Sequence, residues 1–124
     1  SSTEIFVSSR RSFYAFFKLS ELSTNLNAIP LKYDWFSSWF GTILQTSTNW
    51  IFHTQLGWVY PFADDKGLWC WQKELGWIWT QKDIYLENFL WIDRSQNWGY
   101  LDFESSEEVR LYDYNSSKWT NWPE

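Results

Sequence analysis

Residues 50–60, WIFHTQLGWVY, and 69–79, WCWQKELGWIW, decide the fold. Each sets an alternating aromatic run, a polar stretch ending in Leu-Gly, and a second aromatic run in succession. Alternation at period two marks strands. Gly57 and Gly76 supply the positive φ that the last position of a three-to-five-residue hairpin loop needs. Each stretch therefore reads as a β-hairpin. Strand parity puts Trp50, Phe52, Trp58 and Tyr60 on one face, and Trp69, Trp71, Trp77 and Trp79 on the same face of the next hairpin.

The pattern continues in both directions. Trp39, Trp58, Trp77, Trp98 and Trp119 are spaced 19, 19, 21 and 21 residues apart. Eight residues before each stands a large apolar residue: Leu31, Trp50, Trp69, Leu90 and Leu111. A fixed period of this length is the mark of a repeat architecture. Asn97 takes the glycine's place in the fourth unit, whereas Ser38 and Lys118 imply looser turns in the first and last. The five tryptophans, with Trp50, Trp69, Leu90 and Leu111, are expected to anchor the repeat core and to be largely buried. Leu90, Ile92, Trp98 and Tyr100 should share the anchors' face, weakening to Leu111, Asp113, Trp119 and Asn121 at the end. The opposite face carries Ile51, Cys70, Trp91 and Tyr112, so both faces need cover or a partner. The expectation is an all-β body over 31–124: five hairpin repeats forming an antiparallel sheet, solenoid-like or sandwich-like.

Residues 1–30 stand outside the period. Glu4–Val7 and Ser12–Leu19 read as strands of an extended β arm, with Phe13, Ala15, Phe17 and Leu19 on one face. Residues 20–30 read as a linker ending at Pro30, which stops strand pairing. Residues 1–32 hold four basic and two acidic side chains, a net +2; the rest hold six and thirteen, a net −7. Arg10 and Arg11 thus precede an acidic body.

Composition narrows the function classes. The chain has 124 residues, a net charge of −5 and 23% aromatic residues, with 12 Trp and no Met. That length suits one domain, and the aromatic content excludes low-complexity disorder. The acidic balance argues against a nucleic-acid partner held through phosphates, and no apolar run is long enough for a membrane-spanning helix. Cys70 is the one cysteine, so no intrachain disulfide is available, and it reads as a small buried hydrophobe. Neither an initiator Met nor a signal peptide is seen, so Ser1 reads as a processing boundary.

At WIFHTQLGWVY, WCWQKELGWIWT and LYDYNSSKW the chain resembles the aromatic β-hairpin repeats of secreted bacterial surface proteins. It is similar in period to choline-binding and glucan-binding repeats, whose units of about twenty residues carry Gly-Trp and paired aromatics. It looks closer still to regions that end many large secreted proteins of environmental bacteria. The resemblance spans residues 31–122 and implies secretion with non-enzymatic binding or scaffolding. The chain departs from choline-binding repeats in lacking the Gly and Met that follow their aromatics.

Catalytic chemistry finds little footing. His53 is the one histidine, and a strand residue facing solvent or a backbone carbonyl is the simplest reading of it. Asp64–Asp65 and Glu107–Glu108 read as solvated turns rather than a carboxylate pair across a cleft. No metal, cofactor or catalytic residue is expected. The leading expectation is a structural, extracellular or cell-surface module that assembles filament-like with copies of itself or neighbouring surface proteins. The arm Phe13, Ala15, Phe17 and Leu19, with Arg10 and Arg11, would add as a strand to a neighbour. The alternative is a carbohydrate-binding module stacking polysaccharide on Trp71, Trp79 and Trp91.

Overall fold

The computed structural model describes residues 22–104 and 108–122, so the β arm expected over residues 4–19 lies outside the described residues. Among these residues, eleven strands form one antiparallel sheet whose order along the sheet is their order along the chain. The first hairpin is β2 (Trp35–Ser38) with β3 (Gly41–Gln45), flanked by the two-residue edge strand β1 (Ile29–Pro30). β4 (Ile51–His53) and β5 (Gly57–Ala63) follow, then β6 (Leu68–Gln72) and β7 (Gly76–Thr80). β8 (Phe89–Ile92), β9 (Asn97–Asp102), β10 (Val109–Asp113) and β11 (Lys118–Trp122) complete the sheet. Residues 22–26 are helical (α1), and the short helix α2 (Lys82–Tyr85) links β7 to β8.

Four of the expected hairpins are present, as β4–β5, β6–β7, β8–β9 and β10–β11, whereas the first turns at residues 39–40 instead of before Trp39, so that Trp35–Ser38, expected to form its loop, is a strand. The loops explain where the alignment slips. His53 closes on Gly57, and Gln72 on Gly76, around three-residue loops, with φ of 78° and 75° at the two glycines. Ile92 closes on Asn97 and Asp113 on Lys118 around four residues, and the positive φ moves to Gln96 (51°) and Ser117 (58°). Asn97, expected to hold that conformation, is instead an ordinary strand residue. One extra loop residue changes the phase of the strand before it relative to the anchor tryptophan. Leu90, Ile92 and Leu111 therefore turn to the face opposite Trp98 and Trp119, while Trp91 and Tyr112 join the tryptophans.

The second correction concerns which face is the interior. Ile43, Ile51, Val59, Leu68, Cys70, Ile78, Leu90, Ile92, Leu101 and Leu111 are all buried. Phe40, Leu56 and Leu75 from the hairpin loops, Leu26 of α1 and Tyr85 of α2 close over the same core. Of the nine residues expected as core anchors, Leu90 and Leu111 are buried as expected. Trp58, Trp77 and Trp119 are 53%, 43% and 45% exposed, and Trp39, Trp50, Trp69 and Trp98 are half-buried. Compact branched side chains fill a sheet's inner face without gaps, whereas an indole beside other indoles buries one flank against them and keeps its N–H wet. Trp58, Trp77, Trp98 and Trp119 do occupy equivalent places, each second in its strand after the loop. Trp39 does not; it sits in the β2–β3 loop.

No break separates the described part of the stretch read as a linker from the body. Leu26 is fully buried. The Trp39 indole N–H donates to the Asn25 carbonyl at 2.8 Å, and the Trp39 backbone N–H to Leu26 at 3.2 Å. Ile29 and Pro30 pair with Ser37 and Phe36. Proline is tolerated there because β1 is an edge strand.

Candidate functional site

The outer face of the sheet is built from rings in register. Trp35, Leu44, Phe52 and Trp58 form one row across β2–β5, and Tyr60, Trp71 and Trp77 a second across β5–β7. Phe62, Trp69, Trp79, Trp91 and Trp98 form a third across five strands. Phe89, Tyr100, Tyr112 and Trp119 form a fourth. Neighbouring rings meet edge to face. Phe52–Trp58 centroids lie 5.3 Å apart, Trp91–Trp98 5.4 Å and Tyr112–Trp119 5.3 Å, with planes 60–76° apart. Trp71 meets Trp50 in the same way at 5.9 Å. Each such contact contributes about 0.5–1.5 kcal/mol beyond simple burial. The rows thus hold themselves upright without a covering layer.

Along the rows the most exposed side chains are aromatic, while the exposed aliphatics Ile29, Leu31 and Leu86 lie in or beside the edge strand β1 and just after α2. Phe62 is 61% exposed and Trp71 36%, beside the exposed Trp58 and Trp77. Of the residues expected to stack on sugars, Trp71 is exposed, while Trp79 and Trp91 are half-buried and paired with each other in the third row. The most exposed tryptophans on this face are ones the sequence reading had assigned to the core. The missed signal was the phase itself: Ile51, Val59, Cys70 and Ile78 are too compact to compete with tryptophan for attention, yet they alternate with it perfectly. The Arg110 guanidinium covers the Trp119 ring at 4.4 Å and lies 3.9 Å from Asp102.

At the end of the third row the face deepens into a hollow of about 800 Å³. Phe89, Trp98 and Tyr114 supply its aromatic walls, and Asp83, Glu87 and Asn97 its polar ones.

His53 is not available for catalysis. It is fully buried, and its Nδ1 accepts the backbone N–H of Gln55 (3.1 Å) and of Leu56 (3.0 Å). The proton therefore resides on Nε2, which donates to the Phe40 carbonyl at 2.5 Å, with the Tyr85 hydroxyl 3.2 Å away. Burial lowers its pKa to about 4, against the opposing pull of the Phe40 carbonyl. Gln72 repeats the arrangement one hairpin later: its Oε1 accepts from Glu74 and Leu75 at 2.9 Å, and its Nε2 donates to the Leu56 carbonyl. The sequence leaves His53 facing either solvent or a backbone carbonyl. The carbonyl is found, and the loop-binding role was signalled by the matching positions of His53 and Gln72 before their tryptophans.

The remaining candidates fall into structural roles. Burial raises the Cys70 thiol's pKa far above its usual range and raises that of the Tyr85 phenol, to which nearby Cys70 also contributes. Asp64 accepts the backbone N–H groups of Lys66 (2.8 Å) and Gly67 (2.6 Å), fixing the β5–β6 turn. Among the described residues no helix is long and apolar enough to cross a membrane. The arm residues Phe13, Ala15, Phe17, Leu19, Arg10 and Arg11 lie outside the described residues. Comparison with protein-family models, with curated proteins and with solved structures finds no match to this chain.

Proposed function

We propose that this chain is a non-enzymatic extracellular binding module whose outer sheet face takes up polysaccharide. One observation carries the reading: the cross-strand rows of the outer face are built of aromatic rings in register, with Trp58, Trp71 and Trp77 open to solvent on adjoining rows. An indole suits a sugar because the axial C–H groups of a pyranose pack on the electron-rich ring while its hydroxyls stay in water. A protein core or an aliphatic ligand would favour Leu and Ile at the same places. The rows run across the strands at the inter-strand spacing of about 4.8 Å. A linear glycan laid along a row would meet ring after ring. Secretion follows from the resemblance to surface-protein repeats and fits a polysaccharide partner.

The test is binding of the full chain to a panel of soluble oligosaccharides and insoluble polysaccharides. Trp71→Ala with Trp77→Ala should weaken binding at least about tenfold, the loss expected from removing a little over 1.4 kcal/mol of ring contact, while the circular dichroism spectrum is retained. No binding to any glycan, or binding indifferent to both substitutions, overturns the reading.

A second reading, a structural subunit of a filament-like assembly with copies of itself or neighbouring surface proteins, is favoured by the sheet's edges. β1 is blunted at two residues by Pro30, whereas β11 runs five residues and pairs only with β10 among the described residues. An open strand edge templates strand addition, and the apolar, basic arm of a neighbour has the composition to supply it. Polymers in size-exclusion chromatography and electron microscopy would favour it; a monomer at high concentration would exclude it.

A further inference from the structure

The hollow beside α2 carries acidic charge without a cation beside it, whereas Arg110, over the Trp119 ring of the same face, lies within ion-pair distance of Asp102. Asp83 and Glu87 stand four residues apart on α2 and the turn after it, the spacing that puts two side chains on one side of a helical turn. Both line the hollow, and no cationic side chain does. Among the described residues neither carboxylate has an ion-pair or hydrogen-bond partner; the one salt bridge there is Arg110 with Asp102. Facing them are rings from three separate segments: Phe89 of β8, Trp98 of β9 and Tyr114 of the β10–β11 loop. Phe89 and Tyr114 lie 6.4 Å apart with planes inclined by 31°. Asn97 accepts the Trp98 backbone N–H through its side-chain oxygen at 2.8 Å, leaving its amide N–H groups for a ligand hydroxyl.

Two unpaired carboxylates and three aromatic side chains around one hollow together select a ligand that is ring-shaped and positively charged. Carboxylates draw the cation and accept its N–H groups, and aromatic faces attract it through their quadrupoles. A volume of about 800 Å³ accommodates a sugar unit or two, within the usual range for small-molecule sites. Continuity supplies the rest, because Trp98 is both the last ring of the five-strand row and a wall of the hollow. A glycan lying along that row reaches the acidic hollow with its next unit. We propose that the hollow binds a protonated amino-sugar unit, so that the polysaccharide taken up by this face is a glucosamine-containing, polycationic one. The proposal rests on the carbohydrate-binding reading of the face. The net charge of −5 assists by attracting a polycation at long range.

The experiment titrates the full chain calorimetrically with a glucosamine oligomer, its N-acetylated counterpart and a neutral glucose oligomer of equal length. The glucosamine oligomer should bind on the order of tenfold more tightly than the other two at a pH where its amines are protonated. That preference should shrink with added salt and vanish once the amines are deprotonated. Asp83→Asn with Glu87→Gln should bring the glucosamine oligomer to the affinity of its N-acetylated form. Equal affinity for all three oligomers, or a preference untouched by the double substitution, overturns the amino-sugar proposal while leaving the face a carbohydrate site. Pentalysine binding as tightly as the glucosamine oligomer also overturns it, since charge without a sugar would then suffice. Failure of all three oligomers to bind overturns this proposal and the reading beneath it.

Discussion

Replacing His53 with glutamine converts the first loop-binding side chain into the second, since Gln72 already does the same work with an amide. The substitution keeps an acceptor for the Gln55 and Leu56 N–H groups and removes a titrating group from the core. In the folded chain His53 is held neutral with a pKa of about 4, against 6.5 for the ordinary imidazole. As the pH falls below 6.5 the unfolded chain binds a proton that the folded chain refuses. Stability is therefore full above that pH, declines between 6.5 and 4, and levels off below. The whole difference amounts to about 3 kcal/mol, of which about 2 kcal/mol is lost between pH 7 and pH 4.5. Carboxylates titrate at the lower end too, so the informative quantity is the difference between the two proteins' curves. Urea unfolding of wild type and His53→Gln at half-unit pH intervals measures it. The wild type should lose about 2 kcal/mol more than the variant over that window. Parallel curves would refute the buried, neutral imidazole and the hydrogen bonding assigned to it.

Three further outcomes follow from the same structure. Ile78→Ala, in the aliphatic core, should cost about 2–5 kcal/mol, whereas Trp58→Ala should cost only about 1–2 kcal/mol, because it loses one edge-to-face partner and a half-exposed flank; denaturant titration gives both, and the reverse order would restore the tryptophans to the core. Gly76→Ala forces a Cβ into a left-handed backbone and should cost about 1–2 kcal/mol, read as a lowered melting temperature with the β-sheet spectrum unchanged. Cys70 should resist a thiol-specific reagent in the native protein and react fully in denaturant, since burial both shields the sulfur and disfavours its thiolate; rapid native labelling would contradict its place in the core.

The hairpins were legible in the sequence because the loop chemistry is local. Gly57 and Gly76 announce their turns, and the alternating aromatic runs on either side announce their strands. Inside and outside were not legible, because period-two alternation says which residues share a face without saying which face is covered. Where one face is polar the question answers itself. Here Ile51, Cys70 and Ile78 alternate with Phe52, Trp71 and Trp77, and ring size was a misleading guide. The phase change at the fourth hairpin is hidden for a different reason: a tryptophan spacing of 21 does not say where the added residues lie, and one of them belongs to the loop itself. The site suffered accordingly. Trp71 is exposed, Trp58 and Trp77 are exposed although expected in the core, and the hollow is not legible because α2 has no counterpart in the other repeats. Helix α1 was equally hidden, since Leu22 and Leu26 sit in a polar stretch and gain their meaning only from the hairpin they cover.

Strand order in this sheet never departs from chain order. Every strand finds its partner one loop away, so each pairing closes a short stretch of chain at low entropic cost and none must wait for a distant segment. Such a molecule can acquire its sheet progressively as it emerges from a ribosome or a secretion pore, each hairpin laying down the edge that the next one completes. The same plan lets evolution lengthen or shorten the sheet by whole hairpins, with the loop side chains at His53 and Gln72 serving as the fastening between one added unit and its neighbour.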